Sequence, residues 1–185
     1  MLKGRNVNLR VREKEDIDFL HECFNDIDFW GEYNHPAYEQ ISKSTLMNSF
    51  DNPSDYQKLI EFKLFVIEKK DGTRIGIMWH MINQPSEEME IACFLVPSER
   101  GKGYATEATQ LMVDYLFFNR NIVRIQVHTN VENKAAQSAL EKAGFRKEGT
   151  VRKHAQLVRG VWSDFYLYSI LREEWKEPKI LTKTA

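Results

Sequence analysis

Val96-Pro97-Ser98-Glu99-Arg100-Gly101-Lys102-Gly103-Tyr104-Ala105-Thr106-Glu107-Ala108 is the stretch on which the fold turns. Before it, Met89 to Val96 reads as a strand that stops at Pro97. After it, Thr106 to Phe118 has helical periodicity, with Ala108, Leu111, Met112, Tyr115 and Leu116 on one broad apolar face. A strand therefore passes to a helix through a turn with two glycines. The first N–H groups of a helix lack intrahelical partners and lie at the positive end of its dipole, so such a turn can hold an anion. Gly101 and Gly103 let the backbone curl and approach a ligand, and Arg100 and Lys102 add positive charge. These features suit a phosphate or pyrophosphate. A lone Gly-x-Gly can equally be a solvated turn with a helix cap.

Two familiar phosphate loops fail on spacing. A Walker loop requires Gly-Lys followed by Ser or Thr, with an earlier Gly; here Gly103 follows Lys102 and the earlier position holds Val96. A dinucleotide fingerprint requires a third Gly or Ala where Thr106 stands, in an early βαβ unit with an acidic residue about 20 residues on.

Outward from this turn the chain alternates element types. Val7, Leu9 and Val11 predict a first strand, and Ile17, Leu20 and Phe24 share one face of a helix from Asp16 to Phe24. Pro36 opens a second expected helix through Tyr38, Ile41, Leu46 and Phe50, ended by Asn52-Pro53-Ser54. Leu64 to Ile67, the turn Asp71-Gly72 and Arg74 to Asn83 predict a hairpin, with a break at Gln84-Pro85-Ser86 before Met89. Val123 to His128 alternates as a strand, Asn133 to Ala143 reads as a helix closed by Gly144, and Phe145–Val158 and Trp162–Leu171 form a last pair of strands turning at Arg159-Gly160. The order β-α-α-β-β-β-α-β-α-β-β indicates a mixed sheet flanked by helices in one α/β domain over residues 1–175. Residues 176–185 read as a short polar tail expected to fray.

Composition narrows the function classes. At 185 residues the chain is one domain by a prior of roughly 150 residues each. Hydrophobic residues at 42% and charged ones at 29% are ordinary for a soluble globular protein. Lys+Arg 26 against Asp+Glu 27 argues against a nucleic-acid binder. No apolar run approaches the ~20 residues of a membrane helix, and the first residues carry no signal-peptide stretch. Cys23 and Cys93, far apart, fit a reducing cytoplasm. The histidines (His21, His35, His80, His128, His154) show no metal-ligand spacing with one another or with the cysteines, so no metal is expected. A serine-hydrolase elbow is missing as well.

Arg100-x-x-Gly103-x-Ala105 after a strand ending at Pro97 resembles the acyl-CoA pyrophosphate loop of the GCN5-related N-acetyltransferase (GNAT) superfamily. Asn133-Lys134-Ala135-Ala136 followed by Leu140-Glu141-Lys142-Ala143-Gly144-Phe145 is similar to its next helix, which an Asn opens and Gly-Phe closes. Gly160-Val161-Trp162-Ser163-Asp164, then Tyr168, Leu171 and Glu174-Trp175, and the opening Leu9-Arg10-Val11-Arg12, look like the RimJ/RimL branch, whose members acetylate protein N-termini or other amines. The resemblance is strongest from Glu90 to Phe145 and weakest from Asp26 to Tyr56.

That resemblance implies a GNAT fold, a mixed sheet of about seven strands in which two parallel ones, Met89–Val96 and Val123–His128, splay apart around the pantetheine arm of acetyl-CoA. Main-chain groups of Phe94, Leu95 and Val96 would pair with the arm as a further strand. Backbone N–H groups from Gly101, Lys102, Gly103, Tyr104, Ala105 and Thr106 would hold the pyrophosphate, and Asn133 would bond the arm near its thioester, although capping its helix is the ordinary role of an Asn there. An acceptor amine must lose a proton before it attacks, and Glu90 is the candidate general base. The superfamily's usual Tyr and Ser proton donors fall here on Leu140 and Ala136, so Ser138, Tyr166, Tyr168 and His154 become the candidate acids. Trp30, Glu32, Tyr33 and Tyr38 combine acidic and aromatic groups suited to a cationic acceptor, or are an ordinary loop packing on the core. The implied partners are acetyl-CoA and an amine, either a protein N-terminus or a polyamine, amino sugar or aminoglycoside; homodimers are common in the family. The competing function is a CoA-binding sensor that has lost turnover.

Overall fold

A computed structural model describes residues 1–33, 40–51, 62–83, 88–157 and 160–181. The alternating apolar runs form one eight-stranded sheet in the order β1-β2-β3-β4-β5-β6-β8-β7. The strands are β1 (Leu2–Lys3), β2 (Val7–Val11), β3 (Lys63–Lys69), β4 (Arg74–Asn83), β5 (Glu88–Leu95), β6 (Arg124–Asn130), β7 (Arg146–Gln156) and β8 (Trp162–Leu171). The sequence reading of about seven strands lacks only the two-residue β1. Every pairing is antiparallel except β5 with β6.

Helices cover both faces. On one, Met89, Ile91 and Leu95 of β5 pack with Ala108, Leu111, Met112 and Leu116 of α4 (Tyr104–Asn119), and with Ile125, Tyr168 and Ile170. On the other, Ile77 and Leu64 meet Leu20 and Cys23 of α1 (Ile17–Asn25), Phe29 of α2 (Ile27–Trp30) and Leu46 of α3 (Lys43–Asp51), with Phe94 and Val96 partly buried beside them. Strand alternation along β5 thus sends odd positions to one core and Phe94 and Val96 to the other. Truncating Ile91, 1% exposed, to Ala costs about 2–5 kcal/mol.

Three expectations change. The second helix begins at Lys43, and Pro36, Tyr38, Asn52, Pro53 and Ser54 lie outside the described residues, as do Gln84, Pro85, Ser86, Val158 and Arg159. α2, a single turn, was not legible; the Asp26 carboxylate starts it by accepting the Asp28 N–H at 2.9 Å. The tail is docked rather than frayed as far as Leu181. Asp114, 1% exposed, accepts the indole N–H of Trp175 at 2.7 Å and the backbone N–H groups of Lys179, Ile180 and Leu181 at 3.2, 2.9 and 3.0 Å. Ile180 and Leu181 then pack on the larger core, which the tail's overall polarity hid.

Near the start of the chain, buried Asp16 accepts both guanidinium nitrogens of Arg10 and Nε of Arg74, each at 2.7 Å, joining α1 to β2 and β4. Burial alone would raise its pKa, but these bonds and the Glu13 N–H outweigh it and hold the carboxyl below the usual range. Glu107 ties α4 to β2 in the same way, accepting from Asn6 N, Asn6 Nδ2 and Val7 N.

Candidate active site

β5 and β6 pair only at Met89↔Ile125 and Glu90↔Gln126. On its other side β5 is paired with β4 from Glu88 to Leu95. Beyond Glu90 the two parallel strands diverge, as the sequence reading expects, and a cleft of about 560 Å³ opens between Ile91–Leu95, Val127–Thr129, the start of α4 and the inner face of α5 (Lys134–Ala143). Strand edges without a partner offer N–H and C=O groups to whatever lies alongside.

The cleft runs down to the glycine turn. Gly101 and Gly103 have φ of 77° and 85°, a region that L side chains rarely adopt, and Gly103, the N-cap of α4, brings no side chain to cap it. A Cβ on either glycine would meet nothing within 4 Å, so the demand for glycine within the chain itself is conformational. The basic residues contribute less free charge than their count suggests. Arg100 donates to the carbonyls of Leu95, Asp28 and Phe29 at 3.1, 2.8 and 2.7 Å, bracing α2 against the end of β5. Lys102 bonds Glu99 at 3.0 Å and holds that carboxyl below its ordinary pKa. Attraction for an anion at this turn therefore rests chiefly on backbone N–H groups and the helix dipole.

Of the residues expected to hold the cofactor, Phe94, Leu95, Arg100, Gly101, Gly103, Ala105, Thr106 and Asn133 line the cleft. The Val96 and Tyr104 side chains turn into the cores instead, leaving only their main chain for such a role. Asn133 caps α5, its Oδ1 accepting the Ala136 N–H at 3.1 Å, and it lines the cleft as well. Cys93 is another lining residue; burial pushes its thiol up to about 12, which disfavours a thiolate nucleophile at neutral pH.

Glu90, the last residue of β5 paired with β6, stands at the crotch of the fork. Its Oε1 lies 3.2 Å from Nδ1 of His128 on β6, both side chains 18% exposed. The His128 ring lines the cleft and Glu90 does not. His154 of β7 stacks on His128, with centroids 4.4 Å apart and planes at 13°. Sequence reasoning named Glu90 and His154 separately but missed His128 and the meeting of the three, because they lie on three strands. Their facing depends on a parallel register that spacing does not disclose, though strand parity alone puts Gln126 and His128 on one side of β6.

The candidate acids separate clearly. Tyr168 is 1% exposed and donates to Glu141 at 3.0 Å; burial, then that bond, pushes its pKa up to about 12. Tyr166 packs its ring under the Lys147 ammonium at 4.2 Å. Ser138 lines the cleft, while His154 reaches the fork through His128. Leu140 lines it too, as a buried apolar wall where a hydroxyl would have been expected.

Of the residues expected to meet an acceptor, Trp30 and Tyr33 line the cleft, Glu32 does not, and Tyr38 lies outside the described residues. Trp30 also serves the second core, stacking on Phe24 at 5.7 Å, meeting Phe94 edge-on at 5.0 Å and donating Nε1 to the Phe24 carbonyl. The Tyr33 hydroxyl bonds Glu32, which raises its pKa, with the Glu132 charge adding to the effect.

Comparison with known proteins agrees with this geometry. The acetyltransferase (GNAT) domain model matches residues 6–146. An uncharacterized N-acetyltransferase of Bacillus licheniformis is 27% identical over 174 residues, covering 94% of this chain and 97% of its own. The spermidine N(1)-acetyltransferase of Escherichia coli K12 is 26% identical over 179 residues, covering 95% and 91%. The crystal structure of spermidine N-acetyltransferase from Vibrio cholerae in complex with CoA and spermine superposes with a TM-score of 0.79 at 25% identity, covering 93% of this chain and 99% of that one. Taken with the fork and the glycine turn, a domain match of this span establishes that the chain belongs to the GNAT family of acetyltransferases.

Proposed function

We propose that this chain is an acetyl-CoA-dependent N-acetyltransferase of RimJ/RimL-like type that moves acetyl directly to a primary amine. A small polyamine is the favoured acceptor over a protein N-terminus, amino sugar or aminoglycoside. The observation that carries the reading is the β5–β6 fork, which among the described residues leaves the β5 edge from Ile91 to Leu95 without a strand partner on that side and ends at the Gly103 start of α4. The amide-rich pantetheine arm fits such an edge as a surrogate strand, and the pyrophosphate fits the turn from Gly101 to Thr106. Asn133 bonds the arm near the thioester. Trp30 and Tyr33 face the acceptor, with Glu32 bonded to the Tyr33 hydroxyl, and the likeness to the spermidine N(1)-acetyltransferases of Escherichia coli and Vibrio cholerae supports an aromatic site with a carboxylate beside it for a polycation. Two well-separated thiols, Cys23 and Cys93, suit a cytoplasmic setting.

Chemistry at the fork needs a neutral amine, because an ammonium has no lone pair for the thioester carbonyl. Free amines titrate near about 8 to 10, so a base at the fork must take the proton. Strand N–H groups beside the carbonyl can stabilise the oxyanion that forms on attack. A thiolate is a good leaving group, and Ser138, of the four candidate acids the one that lines the cleft, can relay a proton to it.

Incubation with acetyl-CoA and an amine panel (spermidine, spermine, aminoglycosides, a peptide N-terminus) should release free thiol, fastest with the polyamines. One observation favours the sensor reading: Leu140 and Ala136 occupy the positions where the usual donors would stand. Acetyl-CoA binding without thiol release across the panel would establish the sensor and refute the enzyme.

A further inference from the structure

β7 leaves regular pairing at one place. Val151↔Phe165 and Ala155↔Ser163 are successive anchors of the β7–β8 ladder, so Arg152, Lys153 and His154 stand opposite Asp164 alone. Lys153 takes φ 50°, the one non-glycine residue with positive φ among the described residues, and the Asp164 carboxylate accepts its N–H at 2.9 Å. A backbone of this kind is strained and gathers where a side chain must be re-aimed. The side chain re-aimed here is His154, laid flat on His128 with Phe165 beside it at 5.1 Å.

We propose that His128, through Nε2, is the base that takes the proton of the acceptor amine, with Glu90 and His154 as positioning residues that fix its tautomer and its ring plane. This rests on the acetyl-transfer reading above and moves to His128 the step for which Glu90 was the candidate. An ionised carboxylate only accepts, so the 3.2 Å contact with Glu90 makes Nδ1 the donor and leaves the Nε2 lone pair free to act. His154 covers one face of the ring, so a substrate approaches at its edge. Glu90 also stabilises the imidazolium once it forms. Burial, and next the neighbouring His128, lower the His154 pKa against the pull of Glu90, which disfavours a charge on the ring that covers His128. The β8 residue opposite His128 is the uncharged Leu167, and the charged residue that α5 brings to the cleft is Lys142, at its far end.

The step balances without a further reactant. The acceptor ammonium gives one proton to Nε2, and its freed lone pair forms the N–C bond at the thioester carbonyl. The C–S bond then breaks, the second nitrogen-bound proton passes to the departing sulfur, and the imidazolium proton goes to solvent. N-acetylamine, free thiol and one proton are the products.

The test combines steady-state pH profiles with histidine-selective nitrogen NMR on the whole chain. Wild type should show kcat/KM rising with pH through one ionisation, and the His128 resonances should follow that ionisation and report an Nδ1–H tautomer. His128→Gln should lower kcat about 10²–10⁴-fold and abolish that limb, with acetyl-CoA affinity and Tm near wild type. In Glu90→Gln the limb should move to lower pH, because the carboxylate that favours the imidazolium is gone. His154→Ala should lower kcat and His154→Phe should restore it, which a merely structural loss would not do. Turnover in His128→Gln with the limb intact, or an Nε2–H tautomer, overturns the assignment and leaves acetyl transfer standing. A wild type that binds acetyl-CoA but acetylates nothing overturns both.

Discussion

β5 has two neighbours and treats them oppositely. Toward β4 it is paired along its whole length, and Gly76 lets Phe94 approach so closely that a Cβ there would lie 2.2 Å from the Phe94 carbonyl oxygen. Toward β6 it pairs at two positions and then leaves an open edge. One strand thus serves stability on one side and recognition on the other. Substitutions on the two sides should separate melting temperature from ligand affinity.

Gly76→Val attacks the closed edge and should have the largest effect. It forces β4 away from β5, with an expected loss of about 3–4 kcal/mol and a Tm about 10 °C lower, while the protein still folded binds acetyl-CoA normally. Asp114→Ala, remote from both edges, calibrates that scale. It strands the Trp175 indole and three tail N–H groups, and melting should show a loss of about 2–3 kcal/mol without any change in acetyl-CoA affinity.

Gly103→Glu attacks the end of the open edge. With φ at 85° any side chain there is strained by about 1–2 kcal/mol, so Tm falls only a few degrees. The added carboxylate beside the anion turn should weaken acetyl-CoA by at least about tenfold in calorimetry. A large Tm loss with unchanged affinity would erase the distinction between the edges.

The smallest effect concerns the outer wall of the fork. Arg124 of β6 holds Glu148 of β7 through two bonds at 2.6 and 2.7 Å, Ser169 donates a third, and the carboxyl falls to about 2. Because the folded value lies below the unfolded one, this stability is complete above the ordinary carboxylate pKa and fades as pH drops toward about 2. Glu148→Gln should flatten the acid limb of a Tm-against-pH curve by a small margin, since the pair is partly exposed.

The comparison also explains what could be read from sequence. The strand-turn-helix at Val96–Ala108 and the Asn133 and Gly144 caps are local, and their chemistry is written in adjacent residues. Met89, Ile91 and Leu95 reach the core expected from simple alternation. The Arg100 guanidinium, read as charge for an anion, turned out to be occupied by three carbonyls, two of them from the single-turn α2 that short-range pattern did not reveal. Asp114 and the tail meet across more than sixty residues of chain, and Glu90, His128 and His154 meet across three strands. None of these has a sequence signal of its own: the trio depends on strand register and on the β7 bulge, and the Arg100 and Asp114 contacts depend on how segments distant in the chain pack.

Amide hydrogen exchange with and without acetyl-CoA tests the open edge most directly. Protection should appear at those amides of Ile91 to Val96 that point away from β4 and at the turn from Gly101 to Thr106, with β3 and β4 unchanged. Protection confined elsewhere, or none at saturating acetyl-CoA, would contradict a cofactor lying along β5.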